Sequence, residues 1–287
     1  MIWQVLYNGV VAGALLALVA LGYTLIYGVS RLINFAHGDT MMVSAYACFF
    51  LLERTHCPLY VALGFALIVG IGVAVLIERL AVRPASRSGD TLAPVISTLG
   101  AGVVLQAGIG MLFGTASRSF PIGENIGGFQ LGLVHTTNSQ IGILATGLVL
   151  SLLLMLFLRR NRYGQSLRAV ADDPYLSETV GIDPKRTIVA TFAISGLLAA
   201  AAGVALGFDA ALRPFMGYAI GLRGFTAAIV GGIGNPLGAV VGGMLIGIAT
   251  SFAGSYLPSE WTSAFVFVLL ILMLFVRPQG LLPSRKT

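Results

Sequence analysis

The chain has 287 residues, of which 57% are hydrophobic and only 10% charged, where a soluble domain carries about 25% charged residues. With a mean hydropathy of +0.92, lipid must be its main solvent, which excludes a water-soluble globular domain. The net charge of +6 is no footprint for phosphates, because the basic residues sit in short loops between apolar runs; nucleic acid is not an expected partner.

The first segment, Met1 to Gln4, has no basic side chain, and the apolar run after it is too long for a signal peptide. It is expected to stay as a helix. A spanning helix needs about 20 apolar residues. Clear runs lie at 6–27, 59–80, 92–113, 140–158, 188–208 and 261–276. The run at 40–52 is short and polar in its first turn, and two short Gly-rich runs, 216–233 and 237–252, are split by Gly234-Asn235-Pro236. The expected fold is all-α: a polytopic helical membrane protein with about eight to nine membrane helices, some short or broken, in one transmembrane domain over 1–287. The 37 glycines fit membrane helices, where small residues let backbones approach.

Basic residues set the orientation. Arg79, Arg83 and Arg87 follow the third run, Arg159, Arg160, Arg162, Arg168, Lys185 and Arg186 flank the 159–187 loop, and Arg277, Arg285 and Lys286 cluster at the end. The positive-inside rule puts all three clusters in the cytoplasm, so nine spans place the N-terminus outside and the C-terminus inside. The 114–139 loop then lies outside, with Arg118 and Glu124 as its charges; it either reaches a partner or simply connects. Arg213, Asp209 and Glu260 also fall outside, to meet a partner or to be solvated. Arg223 falls inside an apolar run, either as a functional cation or snorkelling near the helix end. Cys48 and Cys57 read as unpaired small residues.

No Walker A, His-Glu-x-x-His, Cys cluster or Gly-x-Ser-x-Gly appears. The chain therefore carries no expected catalytic residue, metal or cofactor, and any ATP hydrolysis must come from another subunit. A membrane-embedded enzyme would need a cluster of polar catalytic groups, and a secondary carrier would need paired ionisable groups at mid-membrane; neither is visible.

Three segments carry information. In the cytoplasmic stretch 161–186, Asp173-Pro174 is a helix start, with Asp as N-cap and Pro at the first helical position, and Gly181 is a stop. A short helix over 174–180 results, of the kind that docks into a groove on a soluble partner or packs on its own bundle. In Asn34-Phe35-Ala36-His37-Gly38-Asp39, polar groups lie near membrane depth. Helix capping, with Asp39 as N-cap of the second helix, pathway lining and a proton relay are the readings. In Gly231-Gly232-Ile233-Gly234-Asn235-Pro236, the glycines lack the Lys-Ser/Thr of a phosphate loop; a broken helix at a substrate path or close packing is the better reading.

These segments together resemble a known family. The pattern Gly164-x3-Arg168-Ala169-x3-Asp173 followed by Gly181-Ile182 is similar to the coupling loop of the branched-chain amino acid ABC importer permeases. The stretches 192–203, 224–239, Gly22 to Gly28, Ile33 to Asp39 and Leu274 to Leu281 resemble further signatures, in order, over essentially the whole chain. Within that family the chain resembles the shorter permease type. One departure is Ser177, where the family usually has Ala. The resemblance implies a bacterial inner membrane, with the N-terminus periplasmic and the C-terminus cytoplasmic, a periplasmic solute-binding protein, a second homologous permease and two ATPase subunits carrying ATP and Mg. It assigns ATPase coupling to Arg168, Asp173, Glu178 and Gly181. Asn34, His37, Asp39, Gly231, Gly232, Gly234 and Asn235 are the candidates for the translocation path or helix break. The implied solute is a branched-chain or related amino acid; relatives of the family also move urea, short amides and aromatic carboxylates.

Overall fold

The computed structural model describes residues 1–90, 92–121, 127–131 and 134–283. Glu124, Arg285, Lys286 and the side chain of Glu260 lie outside the described residues. The long helices are α1 (Ile2–Ser30), α2 (His37–Thr55), α3 (Leu59–Ile77), α5 (Leu92–Phe113), α6 (Asn138–Arg160), α9 (Pro184–Asp209), α10 (Met216–Gly231), α11 (Pro236–Tyr256) and α12 (Ser259–Val276). α3 runs on through a π turn, Glu78–Val82, into the single turn α4 (Arg83–Ala85). Two short helices, α7 (Arg162–Asp172) and α8 (Pro174–Thr179), join α6 to α9. Among the described residues six helices are long and apolar enough to cross a membrane, and α2, α10 and α12 complete the bundle.

α1 is apolar on all sides, and 89% of its apolar window is buried, as expected for a central helix. Its neighbours approach through residues with little or no side chain. A Cβ on Gly243 would meet Ala17, and one on Gly13 would lie 2.9 Å from the Met244 backbone. Gly70 of α3 faces Gly196 of α9, and Gly38 of α2 faces Gly221 of α10. Such contacts trade side-chain volume for extensive van der Waals packing, the main source of helix association in lipid.

Two stretches interrupt the helical backbone inside this bundle. After α1, Arg31 takes a left-handed conformation and the chain turns back through 32–36. α2 then starts at the level of the middle of α9, where His37 bonds Ser195. This corrects two expectations. The second helix is not short: it extends three residues earlier and three later than its apolar run, because its polar first turn is buried rather than solvated. Asp39 is not its N-cap. It sits within the helix, and Asn34 Oδ1 instead accepts the Ala36 N–H ahead of it at 3.1 Å. The second interruption separates α10 from α11 at Gly232 to Asn235, with Gly232 and Gly234 at positive φ.

The outer connections are also not featureless. Gly128–Leu131 (β1) and Val134–Thr137 (β2) pair antiparallel, and β2 clamps the start of α1. Gln4 exchanges two 2.8 Å hydrogen bonds with the His135 backbone, and the Tyr7 hydroxyl bonds Thr136. Thr137 then caps α6 in a reciprocal capping box with Gln140. Upstream, Arg118 and Leu212 pair through both backbone bonds, so the 114–121 segment is tied to the α9–α10 connection that carries the exposed Arg213. Cys48 and Cys57 are free thiols.

The α1–α11 contact yields a prediction. A Cβ on Gly247 would overlap the Gly13 backbone, so Gly247→Val cannot be accommodated without separating the two helices. Overpacking of this kind costs about 1–3 kcal/mol or more. Gly247→Val is expected to reduce the monodisperse fraction recovered after detergent extraction and its melting temperature, whereas Gly64→Ala, with open space around it, should leave both unchanged.

Candidate functional site

Two groups of the sequence-predicted residues come together. The first lies at the end of the bundle that carries the basic clusters. Asn161, Asp173 and Asp183 each cap the helix that follows, accepting backbone N–H groups from the first turn. Asp173 takes Tyr175 at 2.8 Å and Leu176 at 3.0 Å, the cap expected from sequence. Gly181 ends the turn after α8 at φ 86, a conformation that favours glycine. α7 packs inward through Gly164, Leu167 and Val170, all buried. α8 and the Val180 that ends it instead leave Tyr175 76%, Leu176 60% and Val180 73% exposed, and Glu178 is exposed beside them. Ser177, the departure from the family pattern, is buried and donates its Oγ to the Asp173 carbonyl at 2.7 Å. Its hydroxyl is thus satisfied within the helix.

The α10–α11 break lies at this same end. Asn235 caps α11 through the Leu237 N–H at 3.1 Å and donates its Nδ2 to the Leu282 carbonyl at 3.0 Å. Leu281 and Leu282 donate their N–H groups to the Val230 and Gly231 carbonyls. A Cβ on Gly280 would lie 2.5 Å from Gly232. Two signatures far apart in sequence, the Gly-rich break and the chain's ending, therefore form one backbone-bonded unit. A cavity of about 370 Å³ separates it from the 161–186 loop, lined by Gly28, Arg159, Arg168, Asp172, Gly234 and Asn235 among others.

The second group is the buried polar centre. His37 is enclosed between α1 and α9: its Nδ1 lies 3.1 Å from Ser195 Oγ, its ring packs edge-on to Tyr23, and Gly22 leaves the notch it fills. Asp39 is 2% exposed, with Oδ1 accepting from Gln106 Nε2 of α5 at 2.9 Å. Asn34 is buried in the turn before α2. Phe35, at the same turn, meets Phe225 of α10, and Phe225 in turn meets Tyr23. The structure thus splits the predicted path residues. Asn34, His37 and Asp39 form one centre, and Gly231 to Asn235 form a separate one at the basic end. Sequence reasoning missed Gln106, Ser195, Tyr23, Gly102 and Gly280. Gln106 had a visible signal, as the one amide in the 92–113 run. The glycines had none, since their partners are distant in sequence.

Neither group contains a set of three or more His, Cys, Asp or Glu side chains able to hold a metal among the described residues. Both are made of backbone breaks, caps and small-residue contacts, the materials with which membrane transporters build paths and hinges.

Comparison with known proteins agrees with this architecture. A family model described as branched-chain amino acid transport system / permease component matches residues 5–274. The chain is 36% identical to the high-affinity branched-chain amino acid transport system permease protein LivH of Salmonella typhimurium, over 97% of this chain and 94% of that one. It is 35% identical to the corresponding BraD protein of Pseudomonas aeruginosa, over 97% and 95%. Among solved structures, PsaBC from Streptococcus pneumoniae in complex with Fab is similar in fold, with a TM-score of 0.54 over 95% of this chain and 91% of that one at 12% identity. The chain belongs to the family of permease components of branched-chain amino acid transport systems.

Proposed function

We propose that this permease forms, with a second homologous permease chain, the translocation path of an ATP-driven importer for branched-chain amino acids delivered by a periplasmic binding protein. Two ATPase subunits would bind ATP and Mg and supply the energy, since this sequence has no phosphate-binding loop of its own. In this reading the basic end of the bundle faces the cytoplasm and the β1–β2 hairpin faces the periplasm, as the positive-inside rule requires.

The observation that carries the proposal is α8. A single capped helix and the Val180 that follows it leave Tyr175, Leu176 and Val180 exposed at the end rich in Arg and Lys. Exposed apolar side chains on a short, rigid helix fit the groove of a soluble partner. Arg168, Asp173, Glu178 and Gly181 then have distinct parts. Asp173 and Gly181 fix the ends of the element, Glu178 lies on its exposed surface, and Arg168 lies in the cavity between the loop and the α10–α11 break.

The tagged chain purified from native membranes is expected to bring with it ATPase-type subunits and a second apolar permease; recovery of the chain alone, still active in uptake, would make a secondary carrier the better account. Glu178→Lys should leave membrane insertion intact and reduce recovery of the ATPase and leucine uptake together, and normal uptake in this variant would remove Glu178 from the docking surface. Gly234→Leu forces a β-carbon into a left-handed conformation at φ 92, a strain of about 1–3 kcal/mol. It should abolish uptake while the ATPase still co-purifies, whereas uptake at the wild-type rate would show that the break tolerates side chains.

A further inference from the structure

Among the described residues two carboxylates are buried in the bundle, Asp39 and Glu78. Glu78 is paired, with Arg83 Nε at 3.1 Å. Among the described residues Asp39 has no basic side chain within ion-pair distance: Oδ1 accepts from the neutral Gln106 amide, and no donor is bonded to Oδ2. A buried carboxylate without a countercharge is costly, and in a membrane protein such a group faces the bundle interior or a solute path.

This carboxylate is packed against glycine backbone rather than against side chains on two of its sides. Gly102 of α5 faces Oδ2 and Gly217 of α10 faces Oδ1. A Cβ at Gly217 would come within 2.6 Å of the carboxylate, and one at Gly102 closer still. The two glycines come from different helices; at Gly102 the near neighbour is the carboxylate itself, while at Gly217 the Gly38 carbonyl, at 2.7 Å from such a Cβ, also requires glycine. Gln106 is half-buried, so it connects the carboxylate to the open face of α5. α10 begins beside Asp39 with no side-chain cap on its first turn, and the partial positive charge of that terminus favours an ionised carboxylate next to it. The site therefore holds a negative charge at depth, leaves one oxygen without a donor and keeps side chains away from it. What it lacks is a compact cation with several N–H donors.

Resting on the proposed transport of amino acids, we infer that Asp39 receives the α-ammonium group of the passing amino acid, with Gln106 positioning the carboxylate. An ammonium brings three donors and a full charge, which completes the Oδ2 valence and supplies the missing countercharge. The specificity expected at this point of the path is for the ammonium group rather than for the side chain.

The test uses the whole complex of permeases and ATPases, reconstituted for uptake, and photo-leucine as the probe on the same complex without binding protein. Adducts are expected on peptides of α5 around Gln106 and at the start of α10, displaced by excess leucine but not by 4-methylpentanoate, which has the same carbon skeleton without the ammonium. Asp39→Asn should abolish this labelling and lower leucine uptake on the order of thirty-fold or more, the usual effect of removing one partner of a buried charge pair. Should Asp39→Asn fail to assemble, Gly102→Ala decides, since its Cβ meets the Asp39 carboxylate with only Ala36 also in range, at 3.9 Å; it should assemble and lose labelling. Equal displacement by the two competitors overturns the inference. So does wild-type labelling in Asp39→Asn or Gly102→Ala, or labelling elsewhere in a complex that imports leucine. A wild-type complex that imports no amino acid would instead overturn the proposed function itself.

Discussion

The close approach of α1 and α11 sets the geometry on which the rest of the bundle depends. In lipid there is no hydrophobic gain in bringing two apolar helices together, so association rests on contact area, and contact area on how near the backbones come. Gly9 and Gly13 of α1 and Gly243 and Gly247 of α11 remove the side chains that would hold the helices apart. With α11 fixed against it, α1 is surrounded by α9, α10, α6 and α2 and becomes the buried axis of the molecule. Its second half then supplies the floor of the polar centre. Gly22 receives the His37 ring, Val19 lies against Gly224 of α10, and Tyr23 packs between His37 and Phe225.

A bundle held this tightly leaves few places for irregular backbone, and each break must satisfy its own polar groups. Both breaks solve this with an asparagine and with groups from elsewhere in the chain. Before α2, Asn34 Oδ1 takes one N–H and Thr98 Oγ1 of α5 accepts the Phe35 N–H at 3.3 Å. Between α10 and α11, Asn235 caps one helix and binds the C-terminal segment, whose own N–H groups close the carbonyls at the end of α10. The C-terminal signature is therefore part of the break. Its Gly280 is a glycine because Gly232 is its neighbour.

Local chemistry was legible in the sequence, and long-range chemistry was not. The start of α8 at Asp173-Pro174 and its stop at Gly181 follow from residues within one turn of each other, and the bounds of α5 follow from an uninterrupted apolar run. The role of Asp39 could not be read in the same way. A carboxylate two residues after His37 and just before an apolar run has the pattern of an N-cap, and only Gln106 and Gly217, brought in by packing, turn it into a buried charge inside the helix. The β1–β2 hairpin was missed for a related reason. Its strands are four residues each, with only Phe129 and Leu131 alternating in the first and a single apolar residue in the second, and part of what holds them is Gln4 and Tyr7 at the far end of the sequence.

The loop from 161 to 186 has the mechanical properties that a coupling element needs. Its joints are stiff, because Asn161, Asp173 and Asp183 each lock the first turn of the next helix with backbone hydrogen bonds. Its two short helices divide the work. α8 exposes its apolar side chains, while α7 buries Gly164 against Phe157 and Leu158 and sends Leu167 and Val170 into the core. α7 also reaches the end of the central helix, since Arg31 donates to the Ala171 carbonyl at 3.3 Å. A partner that grips α8 therefore cannot move it alone. The displacement passes through a capped joint to α7 and from there to α1 and α6. Across the cavity where Arg168 lies stands the α10–α11 break, whose positive-φ glycines are the backbone positions at this end best able to turn. α10 runs from that break to Gly217 beside Asp39, so one helix connects the place where force would enter with the place where a buried charge waits for a partner.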